Sequence, residues 1–154
     1  MYKKVLVPLD GSKLAECALK EVRLLAQKGC IGEVVVLTAV DYPAALLGEG
    51  SELRTETHRY HELQKGRIAQ AKEYLDGIRT QLAGEGVAVR TEVLEGRADQ
   101  IIVEYAAKNA VDLLVIASHG ITGIRKWVFG STALRVLHDS RIPVLLIRPE
   151  SCRS

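Results

Sequence analysis

Val111-Asp112-Leu113-Leu114-Val115-Ile116-Ala117-Ser118-His119-Gly120, separated by residues 121–129 from Gly130-Ser131-Thr132-Ala133, is the most informative segment of the chain. Leu113–Ala117 is an uncharged apolar run, which predicts a strand buried on both faces, as in a parallel sheet. Ser118-His119-Gly120 closes that strand, and Gly130-Ser131-Thr132 opens a helical pattern carried by Ala133, Val136 and Leu137. One glycine turn thus follows a strand and the other starts a helix. The first N–H groups of a helix have no intrahelical partner and carry partial positive charge. Glycine lets the backbone approach a ligand closely, and the Ser131 and Thr132 hydroxyls add donors. These parts suit a phosphate chain. They suit equally a glycine punctuating a strand and a plain helix cap.

At the amino terminus, Val5-Leu6-Val7-Pro8-Leu9 is a short apolar run closed by Asp10-Gly11-Ser12, a strand and its turn. Ser12 fits the N-cap of a helix with Leu14, Ala18, Val22 and Leu25 inward, ending at Gly29. Glu33–Val40 reads as the second strand. Asp41–Glu56, with Pro43, Gly48 and Gly50, reads as a long connection. Ile68, Ala71, Leu75, Ile78 and Leu82 mark the inner stripe of a long helix beginning near His58 and stopped by Gly84 and Gly86. Val87–Leu94 alternates apolar and polar residues, as a half-exposed edge strand does. Gly96-Arg97-Ala98-Asp99 opens a helix with Ile101, Ile102, Tyr105 and Ala106 inward, and Val144–Ile147 is the last strand.

Strands and helices alternate throughout, with crossings long enough for parallel pairing. The expectation is a single doubly wound α/β domain over residues 1–149 with a short tail, 150–154. Its five-stranded parallel sheet would run in the order 3-2-1-4-5 with helices on both faces. Such sheets take ligands at the carboxyl ends of their strands where the chain order reverses. That reversal falls between the first and fourth strands, which brings Asp10 beside Gly120 and Gly130.

Composition narrows the function. The chain has 154 residues, enough for one domain, and its 21 basic residues nearly balance 19 acidic ones. That balance gives no argument for a nucleic-acid or anionic-membrane partner. Apolar runs fall far short of the ~18 residues of a membrane span, and Met1-Tyr2-Lys3-Lys4 does not open a signal peptide. Cys17, Cys30 and Cys152 are scattered without Cys-x-x-Cys spacing, which fits reduced thiols and a cytoplasmic location.

With these residues assembled, the sequence resembles the universal stress protein family over nearly its whole length. The likeness rests on Val5-Leu6-Val7-Pro8-Leu9-Asp10-Gly11-Ser12, on Gly96-Arg97-Ala98, and on the carboxyl-terminal block. The family's nucleotide-binding branch carries glycine, two residues, glycine, nine residues, then glycine and serine or threonine. Gly120 and Gly130-Ser131 match the second part, whereas Ala117 stands at the first glycine and adds a methyl where backbone should meet nucleotide. The resemblance implies ATP or another adenine nucleotide, with Mg²⁺ or Mn²⁺ held mainly by the phosphates and no metal-binding side chains. Val40 would meet adenine through its backbone. Pro8 and Asp10, with Leu9 between them, would lie near the ribose. Ala117, Ser118, His119, Gly120, Ile121, Thr122 and Gly123 would wrap the ribose and first phosphates. Gly130, Ser131, Thr132 and Ala133 would hold the terminal phosphates.

The resemblance also implies a homodimer through Val144–Ile147, an apolar edge strand bracketed by Pro143 and Pro149 and unguarded by charge. Three functions compete: an ATP-dependent sensor or regulator of the stress response that reports to a regulatory partner, a slow ATP hydrolase, and a nucleotide-free dimerising scaffold. The chain lacks Gly-x4-Gly-Lys-Ser/Thr and shows no second acidic residue beside Asp10 or poised base, so no catalytic residue is assigned and hydrolysis should be slow. Arg125 and Lys126 read as loop cations, and Trp127 and Phe129 as anchors of that loop. His58 and His61 form a pair without a third ligand.

Overall fold

The computed structural model describes residues 1–42, 53–118 and 130–148, with backbone alone for 53–57. The chain runs β1 (Tyr2–Pro8), α1 (Lys13–Gln27), β2 (Ile31–Val40), α2 (Leu53–Gly84), β3 (Val89–Glu95), α3 (Ala98–Lys108), β4 (Leu113–Ala117), α4 (Ser131–Asp139) and β5 (Val144–Ile147). All neighbouring strands pair in parallel, in the order β3-β2-β1-β4-β5. Both the order and the parallel pairing match the expectation from the apolar runs and the length of the crossings.

Period-two alternation divides the core between the faces of the sheet. Val5 and Val7 of β1, Val34 and Val36 of β2, and Leu113 and Val115 of β4 pack with Ala18 and Val22 of α1 and Leu75, Ile78 and Leu82 of α2. The intervening Leu6, Val35, Leu37, Leu114 and Ile116 pack with Ile102 and Ala106 of α3 and Ala133 and Val136 of α4. Strands buried on both sides must be apolar at successive positions, which is why β4 is an unbroken hydrophobic run. β3, by contrast, alternates and is half-buried at the sheet edge.

Four expectations need correction. α2 starts at Leu53, ahead of His58, because every breaker in that region (Pro43, Gly48, Gly50) precedes it. The connection is shorter by that much, and its residues 43–52 lie outside the described residues. Leu137 points outward and is 37% exposed, since Ala133 and Val136 already fill the short inner face of α4. Cys17 is disulfide-bonded, whereas Cys30 is a free thiol, so three reduced thiols is not the pattern found. Spacing along the chain cannot show a pairing made by tertiary structure.

Candidate functional site

The reversal of strand order places the carboxyl ends of β1 and β4 side by side, with β2 beyond β1. After Pro8 the chain keeps one more ladder contact, Leu9 N–H donating to the Leu37 carbonyl at 2.8 Å. The Leu9 carbonyl then accepts from the Thr38 hydroxyl at 2.9 Å, a bond buried between the first two strands. Leu9 itself is buried, so this candidate residue can offer a ligand only its backbone. Asp10 is exposed, and its Oδ1 accepts from the Ser12 N–H at 2.9 Å and the Ser12 hydroxyl at 2.6 Å. Ser12 Oγ in turn accepts from Ala15 N–H at 3.1 Å and caps α1, as expected. Gly11, at φ +86°, sits in the left-handed region that this turn requires.

Tyr74 of α2 braces the same corner from above, donating its hydroxyl to Glu16 Oε1 at 3.0 Å. Burial, then that bond and the charge on Glu16, push the Tyr74 phenol far above its ordinary range, so it stays a neutral donor.

At the end of β2, Val40 is 5% exposed and its carbonyl accepts from Gly96 N–H at 3.0 Å. Gly96 has φ +137°, and a Cβ there would stand 3.0 Å from Ile101 Cδ1. Only glycine allows this turn to reach Val40 without strain. The next carbonyl, of Asp41, accepts from Gln64 Nε2 and Arg67 Nη1 of α2, both at 3.3 Å.

At the end of β4, Ser118 is tied outward to β5: its N–H reaches the Ile147 carbonyl at 2.9 Å and its hydroxyl the same oxygen at 3.4 Å. Ala117 is 3% exposed and packs within the core beneath α1 and α2. Its methyl is therefore buried in that core.

Gly130 is the N-cap of α4, and among the described residues no side chain caps that terminus. Ser131 is exposed, Thr132 half-buried and Ala133 buried, so Ala133 too has only backbone to offer. α4 is held against α3 by Asp99, which accepts from Arg97 at 2.7 Å and Arg135 at 3.2 Å. The bond from Arg97, reinforced by Arg135 and opposed by burial, lowers the Asp99 carboxyl to about 2.

Pro8, Leu9, Asp10, Val40, Ala117 and Ser118 thus lie at the ends of three adjacent strands, and Gly130–Ala133 at the start of α4. His119, Gly120, Ile121, Thr122 and Gly123, with Arg125, Lys126, Trp127 and Phe129, lie outside the described residues. His58 and His61 are exposed on α2. Sequence reasoning missed Thr38 and Gln64, and named Gly96 only as the opening of a helix. Only Gly96 carries a local signal, as a glycine between a strand and a helix.

A five-stranded parallel sheet with helices on both faces and a reversal of chain order between β1 and β4 defines a doubly wound α/β protein. A sequence model of the universal stress protein family matches residues 1–148, and the chain belongs to that family. It is 31% identical to universal stress protein MJ0577 of Methanocaldococcus jannaschii, over 96% of each chain. The solved structure of MJ0577 aligns with a TM-score of 0.80 at 29% identity, again over 96% of each chain. UspA from Lactobacillus plantarum aligns with a TM-score of 0.80 at 26% identity, covering 96% of this chain and 98% of that one. A universal stress protein of Arabidopsis thaliana solved with AMP bound shares the fold at 14% identity, with a TM-score of 0.61 over 95% of this chain and 91% of that one. No helix among the described residues is long and apolar enough to cross a membrane.

Proposed function

We propose that this chain binds ATP across the carboxyl ends of β1, β2 and β4 and acts in the cytoplasm as a nucleotide-dependent sensor or regulator of a stress response. What supports the reading is the sheet order, which sets the carboxyl ends of β1 and β4 side by side with β2 next, together with the pinned Leu9-Asp10 turn, the buried end of β2 at Val40 and the glycine N-cap of α4. Adenine would meet the backbone at Val40, and the ribose would lie near Pro8 and Asp10. The terminal phosphates would meet Gly130, Ser131, Thr132 and Ala133, with His119 through Gly123 completing the wrap. Ala117 need not obstruct the base or sugar, since its methyl is already packed in the core. AMP bound to a neighbour of the same fold is in keeping with an adenine nucleotide. Mg²⁺ or Mn²⁺ would be coordinated mainly by the phosphates, as Mg²⁺ commonly is.

A sensing role fits better than rapid hydrolysis because Asp10 Oδ1 serves its own turn, accepting two bonds from Ser12, and the sequence sets no second acidic residue beside it. A base that activates water needs a free acceptor directed at the substrate. β5 is the outer strand on its side, and its four residues are half-buried. Two such edges pairing about a two-fold axis would satisfy each other's backbone groups and form a homodimer. A regulatory partner protein would then read the nucleotide state. Mass spectrometry of small molecules released from the denatured, freshly purified protein, with calorimetry of added ATP, tests the reading. Micromolar binding supports it, and no detectable binding of ATP with Mg²⁺ or Mn²⁺ refutes it.

A further inference from the structure

The inner stripe of α2 continues toward the amino terminus beyond the apolar positions Ile68, Ala71, Leu75, Ile78 and Leu82. One turn before Ile68 it reaches Gln64, which is 5% exposed, while the neighbouring Leu63 is 61% exposed. The ordinary arrangement, with leucine inward and glutamine outward, is inverted at this turn.

The Gln64 carboxamide is also only half used. Its Nε2 donates to the Asp41 carbonyl, whereas its Oε1 is buried with no hydrogen-bond partner among the described residues. Rotating the amide would not help, because Oε1 would then face the Asp41 carbonyl, acceptor against acceptor. The orientation is therefore fixed by β2, and one buried acceptor is left over. Such an oxygen costs stability and calls for an explanation.

Its position supplies one. The anchoring carbonyl belongs to the residue after Val40, at the carboxyl end of β2. Alternation along β2 puts Val40 on the face of Val34 and Val36, which is the face α2 covers. The amide that carries the orphaned acceptor is thus anchored one residue beyond Val40, the residue that the nucleotide reading sets against the base.

We propose that Gln64 is the specificity residue for a 6-aminopurine, its Oε1 accepting a hydrogen bond from the exocyclic amino group of adenine. This inference rests on the nucleotide-binding reading above. A 6-oxopurine would set a carbonyl oxygen against Oε1, and a purine bare at position 6 would leave it unpaired. Oε1 is closed to solvent, so a base that reaches it displaces its covering, and the new bond offsets that cost. Sites built to hydrogen-bond a substrate group discriminate well against analogues lacking it, because a buried partner is then left unsatisfied.

The test compares calorimetric affinities for ATP and for purine ribonucleoside triphosphate, which has hydrogen in place of the amino group, in wild type and Gln64→Leu. Wild type should prefer ATP about tenfold, and Gln64→Leu should reduce that preference to within about twofold, chiefly by weakening ATP. An undiminished preference in folded Gln64→Leu overturns the inference while leaving the nucleotide site standing. Failure of wild type to bind either triphosphate removes both. Should Gln64→Leu not fold, the Gln64 side-chain amide resonance of the wild-type protein decides. It should move with ATP and much less with the 6-hydrogen analogue, and equal movement with both overturns the inference.

Discussion

Thr38→Val is the sharpest probe of how the strand ends are held. Thr38 is 8% exposed near the carboxyl end of the β-branched strand β2, and its hydroxyl donates to the Leu9 carbonyl at 2.9 Å. Valine keeps the shape and β propensity, so no cavity forms and the change is confined to one hydrogen bond. The Leu9 carbonyl loses a buried donor, which costs about 1–3 kcal/mol. For a domain of this size each kcal/mol lowers Tm by about 2–4 °C. Urea unfolding should show the midpoint falling with the slope unchanged, since the surface exposed on unfolding is the same. Leu9 leads into Asp10, so ATP affinity should fall as well, by about tenfold if the turn loosens by a little over one kcal/mol. A variant with wild-type midpoint and wild-type ATP affinity would refute both the energetic worth of the bond and its role in holding the turn.

Gly130→Val should weaken ATP by at least about 100-fold in calorimetry, through the loss of two hydrogen bonds to charged phosphate. Steady phosphate release should stay below about 0.01 per minute, far under ordinary enzymatic rates; release above about one per minute, lost in Asp10→Ala, would favour a hydrolase. The Asp99 carboxyl, lowered to about 2 in the folded chain, stabilises the fold above the unfolded value of about 3.9 and loses that contribution as pH falls from there toward 2. Urea midpoints of wild type and Asp99→Asn should therefore differ at neutral pH and converge near pH 2. Leu146→Pro should remove a backbone donor from β5 and turn a dimer of about twice the 16.9 kDa chain into a monomer in light scattering, whereas a wild-type monomer at micromolar concentration would refute pairing through β5.

The sheet was legible because parallel strands buried on both faces leave unbroken apolar runs, as at Leu113–Ala117, and helices leave stripes, as at Ile68–Leu82. Its order followed from the alternation of elements and matched in every pairing. The turn at Asp10-Gly11-Ser12 was legible because its residue types serve one local geometry. What escaped was set by tertiary contact. Nothing near Thr38 says that its hydroxyl meets Leu9 rather than water. Gln64 looks like surface in sequence because its amide finds the Asp41 carbonyl only once α2 has docked. Ala117 carried the opposite lesson: its methyl, an obstacle on motif grounds, packs into the core.

The strand ends that carry the candidate site share a form of support. Leu9 is fixed by the Thr38 hydroxyl from β2, Val40 by the Gly96 amide after β3, and Ser118 by the Ile147 carbonyl of β5. Each bond runs sideways, from one strand end to its neighbour, beyond or at the last residue of the ladder. Sideways bonds of this kind fix the ends relative to one another without occupying the space above them. Helical side chains add to the bracing, with Tyr74 on Glu16 and Gln64 and Arg67 on the Asp41 carbonyl. A ligand laid across such ends has little backbone left to order, so less binding energy goes into organising the protein. It follows that weakening any one brace should act at a distance, reducing affinity through loss of preorganisation even where the altered side chain touches no ligand. Thr38→Val and Gly96→Ala, on opposite sides of β2, should then both weaken ATP, and the ratio of ATP to purine ribonucleoside triphosphate affinity should separate them from Gln64→Leu. Loosening a brace lowers both affinities together, whereas Gln64→Leu removes a brace and the acceptor at once and so lowers ATP more than the 6-hydrogen analogue.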